Sequence, residues 1–478
     1  MGSQTVLAVD LGAESGRVMA VKFAGDRLSI DELHRFSNKP VTINQTLYWN
    51  FISLWNNIQG GIAAGKLLNP AGVGVDTWGV DFGLLDKQGN LIGNPVHYRD
   101  RRTNDMLEHV FKIVPRDDVF AQTGIQFMQF NTLYQLASMV ASDSPYLDIA
   151  ETLLLSPDLI NYWLTGEKVS EFSIATTTQM VNPRSRSWVT EMLDKLGLPT
   201  HILPDIVPSG TQLGTYEGIR VIAPACHDTG SAVVAVPTTT KNFGYISSGT
   251  WSLAGIEGDA PIITPEVQAA NITNEGGVFG TIRLLKNVMG LWIMQQCRST
   301  WQASGMEYSY PDLVTLAEAA APLRSIINPN DESFFAFGDL PSRIAAYCNT
   351  HHQPMPQSPG EIIRCVLESL ALAYREVFET LEAISGRNVE VIHIIGGGSQ
   401  NALLNQMTAE ATGKRVMAGP VEATVMGNAV MQLITLGELG TLADARQIIA
   451  GLEGLTRYEP HHTEPWQAAY ERYKTLLK

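Results

Sequence analysis

The sequence predicts an α/β protein of two domains, and three observations carry that expectation. Its 478 residues exceed the ~250–300 at which a single hydrophobic core stops growing. Short apolar runs alternate with longer stretches of helical period, the mark of mixed strands and helices. The chain also holds two similar strand-turn-strand segments, one opening each half, which divides it at residues 1–238 and 239–478.

Thr5 to Asp10 reads as a strand, Leu11 to Ser15 as a turn and Gly16 to Phe23 as the returning strand. The turn, DLGAESGR, has a carboxylate at the strand end, then small residues, a second Gly and an Arg. Alone it is an ordinary hairpin. Set beside the second hairpin it becomes half of a pair able to grip a polyphosphate through backbone N–H groups and hydroxyls. Asp10 is then placed to hold Mg²⁺ through water, since the β- and γ-oxygens carry charge that must be neutralised during transfer.

Ser53 to Leu68 has helical period and contains Gly60 to Leu67, GGIAAGKL. This fits G-x4-G-K, but Leu67 stands where a P-loop has its hydroxyl and no strand precedes it, so no P-loop is assigned. Val73 to Asp76 reads as a strand leading to Thr77-Trp78-Gly79-Val80-Asp81, and Leu84 to Asn90 as a further hairpin. A Gly-flanked Trp with two Asp suits a small polar ligand, or equally a buried Trp with turn carboxylates. Tyr98 to Thr103 is a dense basic cluster, read as a grip on hydroxyls or as an ion-pair network.

The centre holds a buried strand, Val221 to Ala225, then Cys226-His227-Asp228-Thr229-Gly230 and a helix of small residues from Ser231. Asp228 is thus a carboxylate between strand end and helix start, either a cap or a catalytic base. Phe243 to Ile246 runs into Ser247-Ser248-Gly249-Thr250 and out as Trp251 to Leu253. Asn271 to Gly277 reads as a turn-rich loop, and Val288 to Thr300 as a helix with Gln295 about two turns in. Glu361 to Ser385 is a long amphipathic helix. Val389 to Ile395 is a strand, followed by Gly396-Gly397-Gly398 and the helix Ala402 to Thr412. There backbone without Cβ can approach a nucleotide closely. Trp466 to Lys478 reads as a closing helix.

Hydrophobic residues make up 45% and charged residues 17% of the chain, a globular composition. The formal charge of −15 excludes the basic stripe that nucleic-acid binding needs. No apolar run reaches the length of a membrane span, and no signal-peptide order opens the chain, so a cytoplasmic protein without membrane partners is predicted. Cys226, Cys297, Cys348 and Cys365 have no metal or redox spacing; Cys348 and Cys365 could meet between neighbouring helices, but in a reducing compartment free thiols are expected.

Taken together, DLGAESGR (10–17), HDTGSAV (227–233), SSGTWSL (247–253) and GGGSQN (396–401) resemble the FGGY carbohydrate kinases of the actin/Hsp70/hexokinase superfamily. DTWGVDF (76–82), YRDRRTN (98–104), GIQFMQFNTLYQL (124–136), NITNEGG (271–277), LLKNVMGLW (284–292) and GPVEATVMGN (419–428) resemble its L-rhamnulose-phosphorylating branch. The resemblance implies two ribonuclease-H-like (actin-like ATPase) domains with an ATP/sugar cleft between them. It implies transfer of the γ-phosphoryl of ATP to O1 of L-rhamnulose, with Mg²⁺ as cofactor. It places ATP on Ala13, Glu14, Ser15, Gly16, Arg17, Thr250, Gln295 and Gly398. Sugar falls on Gly79, His227, Asp228, Thr229 and Asn287, with Asp228 as proton acceptor. Glu14 departs from the Ser or Thr of many relatives, so its carboxylate must point away from phosphate or hold metal.

Asp228 is expected to orient the hydroxyl and take its proton late in a loose transition state. Rival expectations are a kinase for another ketose or polyol (L-fuculose, L-xylulose, glycerol), an ATP-driven switch, and an inactive sugar sensor. A monomer or homodimer satisfies the sequence equally.

Overall fold

The computed structural model describes residues 3–477. They form two compact units. The first comprises the chain up to Thr239 with Glu257–Leu284 and Ala423–Leu452; the second comprises Thr240–Ile256, Leu285–Glu422 and the chain from Glu453. Among the described residues no helix is long and apolar enough to cross a membrane.

The first unit is built on β1 (Gln4–Leu11), β2 (Ser15–Ala24), β3 (Arg27–Ser37), β4 (Gly72–Thr77), β5 (Thr211–Tyr216) and β6 (Ile219–Ala223), in the order β5-β6-β4-β1-β2-β3. β1, β2 and β3 run antiparallel, while β4 lies parallel to β1 and β6 parallel to β4. Val6 to Leu11 is buried without interruption, as a strand covered on both faces must be. β3, at the edge, mixes buried with exposed residues.

Helix α1 (Phe51–Gly65) buries Phe51, Leu54, Ile58 and Ile62 at helical spacing, and the Asn50 side chain caps it by accepting from Ser53 N. The P-loop lookalike lies in this helix. Its Gly61 serves packing: a Cβ there would stand 2.3 Å from Val18 Cγ2 of β2. α2 (Thr132–Ala141), α3 (Ser156–Thr165) and α4 (Asp228–Val234) follow.

The second sheet uses β7 (Phe243–Ser248), β8 (Trp251–Gly258), β9 (Thr273–Gly276), β10 (Ile282–Met289), β11 (Val391–Ile395), β12 (Arg415–Ala418) and β13 (Thr456–Tyr458), ordered β9-β10-β8-β7-β11-β12-β13. The hairpin β7–β8 is antiparallel, and β7, β11 and β12 are parallel. Its helices are α5 (Trp292–Ala303), α6 (Pro359–Ser385) and α7 (Ala402–Thr412), with α8 (Ala423–Thr435) returning to the first unit. The run β10-β8-β7-β11-β12 repeats β3-β2-β1-β4-β6, each with a helix before its first crossover strand. This is the duplicated ribonuclease-H-like order that the resemblance implies, with the two turns occupying equivalent places.

Three segments depart from the sequence reading. Thr273–Gly276 is a buried strand, not a loop; polar residues pass as strand here because Gly276 N donates to Thr176 Oγ1 (2.8 Å) and the chain is enclosed. Val288 and Met289 end a strand, and the helix begins only at Trp292, which puts Gln295 in its first turn. Gly290 separates the two, since a Cβ there would meet Ser252 Oγ at 2.5 Å and its N at 2.8 Å. Phe82–Leu85 pairs mainly with the distant Thr152–Leu155, and the expected local hairpin is present but short, closed by Asp86 N→Asn90 O (2.9 Å), Ile92 N→Leu84 O (2.8 Å) and a Leu85–Leu91 bridge.

α8 packs against β1, β4 and α4 through absent side chains. Asn428 and Gln432 occupy the space that a Cβ on Gly74 or Gly72 would fill, and a Cβ on Gly427 would stand 1.7 Å from Ser231 O. We expect Gly427→Ala to destabilise the protein by about 1–3 kcal/mol through overpacking. A lowered urea midpoint reports this; an unchanged midpoint would show that α4 and α8 do not cross so closely.

Candidate functional site

Three acids stand at the carboxyl ends of neighbouring parallel strands in the first unit. Asp10 ends β1, Asp76 lies opposite it in register on β4, and Asp228 follows β6. The pairing of β4 with the β6 side continues past the sheet through Thr77 N→Cys226 O (2.9 Å) and a Thr77–His227 bridge. This continuation brings DTWG and HDTG together.

Arg17, Asp10's cross-strand neighbour on β2, donates to Asp10 Oδ2 from Nε (3.0 Å) and Nη2 (2.7 Å). The turn between them is closed by Gly12 N→Ser15 O (2.9 Å). It is anchored by Asn38, whose Nδ2 donates to Gly12 O (2.8 Å) and whose N donates to Glu14 O (2.9 Å). Ala13, Glu14, Ser15, Gly16 and Arg17 thus form one rigid hairpin tip.

Asp76 is wholly buried. Its Oδ2 accepts from Asn428 Nδ2 (2.6 Å), while Oδ1 accepts no hydrogen bond. Burial first, then the charges of Asp10 and Asp228, hold its carboxyl well above the usual range, against Asn428 and Arg17. Asp228 is the first residue of α4, with His227 before it as an N-cap whose side chain makes no capping hydrogen bond. Asp228 Oδ1 accepts from Thr229 N (2.5 Å) and Thr229 Oγ1 (3.2 Å). Burial chiefly raises its carboxyl, with Asp10 adding and His227 and Thr229 opposing. Asp228 is thus a part-buried carboxylate in the first turn of α4, raised by burial and by a second acid.

Sequence reasoning missed what holds this loop. The buried Glu171 accepts from Cys226 N (3.0 Å), Ser173 Oγ (2.5 Å) and Ile174 N (3.2 Å), and Ser173 Oγ accepts from His227 N (3.1 Å). No motif marked Glu171, because Cys226, the residue of this loop that it holds, is distant in sequence.

Gly79 lies where β4 turns away. A Cβ there would meet the Thr177 side chain at 3.1–3.2 Å. Val80 next to it has φ 69°, a left-handed conformation that a β-branched residue adopts only under constraint. Thr177 Oγ1 accepts from Val80 N (3.1 Å) and Thr132 Oγ1 donates to Val80 O (2.6 Å), which supplies that constraint. Asp81 then accepts from Trp49 Nε1 (2.5 Å), Trp78 Nε1 (2.9 Å) and Gln135 Nε2 (3.1 Å). Trp49 in turn lies between Trp78 and His97, with ring centroids 4.1 and 4.0 Å away. The basic cluster joins this packing: Arg102 donates to Gln135 (2.6 Å) and covers the Phe82 ring.

In the second unit, Ser248, Gly249 and Thr250 turn from β7 to β8. Leu291 N donates to Gly249 O (3.0 Å) and Trp292 N to Thr250 O (3.1 Å), so the start of α5 is tied to this turn. Gln295 sits in that first turn, and its buried Oε1 has no hydrogen-bond partner. Gly398 backs the turn from behind: a Cβ there would lie 2.0 Å from Ser248 Oγ. Thr250, Gln295 and Gly398 are thereby brought to one place. Asn287 lies on β10 of the same unit.

Among the described residues no group of three or more His, Cys, Asp or Glu side chains could hold a metal. Mg²⁺ needs no such cage, since it is commonly held by one or two carboxylates, water and substrate phosphate. Asp10, near the end of β1 beside that hairpin tip, fits that donor set.

Residues 5–222 match the FGGY family of carbohydrate kinases, N-terminal domain, and residues 244–436 its C-terminal domain. A rhamnulokinase of Bacteroides thetaiotaomicron is 44% identical over 487 residues, covering 99% of this chain and 100% of the relative. One from Pectobacterium atrosepticum is 42% identical over 489 residues, covering 100% of this chain and 97% of the relative. A ligand-bound xylulose kinase from Lactobacillus acidophilus superposes with a TM-score of 0.80 at 14% identity, over 99% of this chain and 97% of its own. Plasmodium falciparum glycerol kinase with ADP gives 0.76 at 13%, with the same coverage. At such identities the two structures show a common fold.

Burial pushes the Asp81 carboxyl up to about 6, while Trp49, Trp78, Gln135 and Arg102 act in the opposite direction. With the folded value raised, the group costs nothing below the unfolded value near ~4 and costs stability as pH rises through about 6. We expect stability relative to Asp81→Asn to fall by about 3 kcal/mol between roughly pH 4 and pH 7. Urea unfolding of both proteins across that range measures it; a pH-independent difference would refute it.

Proposed function

The chain belongs to the FGGY family of carbohydrate kinases, and we propose that within it the chain transfers the γ-phosphoryl group of ATP to O1 of L-rhamnulose, giving L-rhamnulose 1-phosphate and ADP. The observation that carries the mechanism is the position of Asp228, a desolvated carboxylate at a strand end beside Asp10. The names of its relatives, similar over almost the whole chain, favour the substrate.

In this reading Asp228 holds the attacking hydroxyl and accepts its proton. Its contacts with Thr229 both fall on Oδ1, so Oδ2 is the oxygen available to the sugar. A raised carboxyl is a stronger base than an ordinary aspartate, yet must be ionised to act. Gly79, His227, Thr229 and Asn287 are the further sugar contacts. Lack of a side chain at Gly79 lets a ligand approach backbone that is locked by Thr177.

The nucleotide is assigned to Ala13, Glu14, Ser15, Gly16 and Arg17, and to Thr250, Gln295 and Gly398. Both hairpin tips offer backbone N–H groups, and the unpartnered Gln295 Oε1 suits a donor on the nucleotide. Mg²⁺, held through Asp10, supplies charge neutralisation of the phosphate oxygens. Arg17 holds the Asp10 carboxylate in a fixed direction before ligand arrives. Positioning of the hydroxyl against the terminal phosphate supplies most of the acceleration, because little proton transfer is needed early in a loose transition state.

Asp228→Asn should lower kcat by about 10²–10⁴-fold while leaving the KM for ATP nearly unchanged; near-normal turnover would remove Asp228 as the base. ADP release should be fastest with L-rhamnulose among L-rhamnulose, L-fuculose, L-xylulose and glycerol, and preference for another acceptor would move the enzyme to that sugar. Gly398→Ala should raise the KM for ATP, because its Cβ forces Ser248 and the turn aside, and leave the KM for sugar unchanged. An unaltered ATP KM would detach Gly398 from the nucleotide.

A further inference from the structure

Behind His227 stands a charged pair that the proposed chemistry leaves without a role. Arg283 is 0% exposed, Glu275 4% and His227 7%. Arg283 Nη2 lies 3.1 Å from His227 Nδ1, with an N–H directed at the ring nitrogen. Its Nε donates to Gly276 O (2.9 Å), which fixes the plane of the guanidinium. Glu275 Oε2 lies 3.1 Å from both Arg283 Nη2 and His227 Nδ1, and accepts no well-directed hydrogen bond from either. On the other side of the ring, His227 Nε2 faces Asp228 Oδ1 at 3.5 Å.

A guanidinium carries five donors, no acceptor, and keeps its charge. A ring nitrogen that receives its N–H must therefore present a lone pair, and the proton of the neutral imidazole is left on Nε2. We propose that Arg283 is a positioning residue that fixes His227 as the neutral Nε2–H tautomer, so that the ring donates toward Asp228 and a sugar oxygen bound beside it. Glu275 neutralises the buried guanidinium and keeps it against the ring. This deepens the reading of Asp228 as base and rests on it, because the donor so created faces that carboxylate.

The arrangement has a chemical consequence for the reaction. Thr229 N–H, Thr229 Oγ1 and the His227 Nε2–H all face Asp228 Oδ1, so three donors converge on one oxygen. Oδ2 is left as the oxygen that takes the proton of the attacking hydroxyl. With Nδ1 protonated instead, a bare Nε2 would face the carboxylate and repel it.

The ring can be read directly by NMR of the full-length protein labelled with ¹⁵N-histidine, its signals assigned through His227→Gln. Protonated Nε2 with bare Nδ1 is expected; a ring protonated on Nδ1, donating to Glu275, overturns the inference. Arg283→Met should lower kcat/KM for L-rhamnulose by about 10–100-fold, the size typical of losing a group that orients an imidazole, with the KM for ATP held within about twofold. It should also abolish the tautomer preference, and Arg283→Lys, which keeps a donor, should restore part of both. Unchanged activity and tautomer in folded Arg283→Met overturn the proposal, and should that variant not fold, the wild-type spectrum alone decides. Near-normal turnover in Asp228→Asn would remove the base without altering the ring signals, which separates failure of that reading from failure of this one.

Discussion

Crowding of like charge at the carboxyl ends of β1, β4 and β6 is the constraint around which the first unit is arranged. Burial first makes ionisation of Asp76 and Asp228 harder, and Asp10 adds to the difficulty for both, as Asp228 does for Asp76. A buried charge is tolerated only when paired or hydrogen-bonded. Each acid accordingly has its own compensation: Arg17 for Asp10, Asn428 for Asp76, and the Thr229 N–H for Asp228. The outcome is graded. Asp10 carries a fixed ion pair, Asp76 is driven toward its protonated form, and Asp228 keeps a raised carboxyl with one oxygen uncommitted.

Compensation of this kind explains several residues that look incidental in the chain. Asn428 reaches Asp76 only because Gly74 leaves room for its amide, and α8 can bring it there only because Gly427 lets that helix pass against Ser231 O. Glu171 holds the backbone of Cys226, and Ser173 that of His227, so the direction of Asp228 is set from a segment far away in sequence. The strained Val80 belongs to the same logic, since a hydrogen bond from Thr132 to its O and one from its N to Thr177 keep Gly79 turned where β4 ends.

The second unit solves a different problem with the same hairpin. Its turn carries hydroxyls and glycine instead of acids, and it is supported by α5 and by the triple-glycine loop after β11. Gly398 approaches Ser248 so closely that no other residue fits. An anion held there would meet N–H dipoles instead of carboxylates, which suits a chain whose net charge is strongly negative.

By itself the sequence determined what depends on neighbours in the chain. The paired hairpins, the helix Ala402–Thr412, and Asp228 between a strand and a small-residue helix were legible because period, Gly placement and local carboxylates encode them directly. Tertiary structure alone decided the rest. Thr273–Gly276 has no apolar alternation and is a strand because enclosure supplies its partners. Gln295 moved into the first turn of α5 because Gly290 must sit against Ser252. Glu171 and Arg283 carry no local signature, and Glu275 and Asn428 lie in strings that mark the family without showing what they hold, since a buried polar side chain is defined by the group it satisfies, and that group is chosen by the fold.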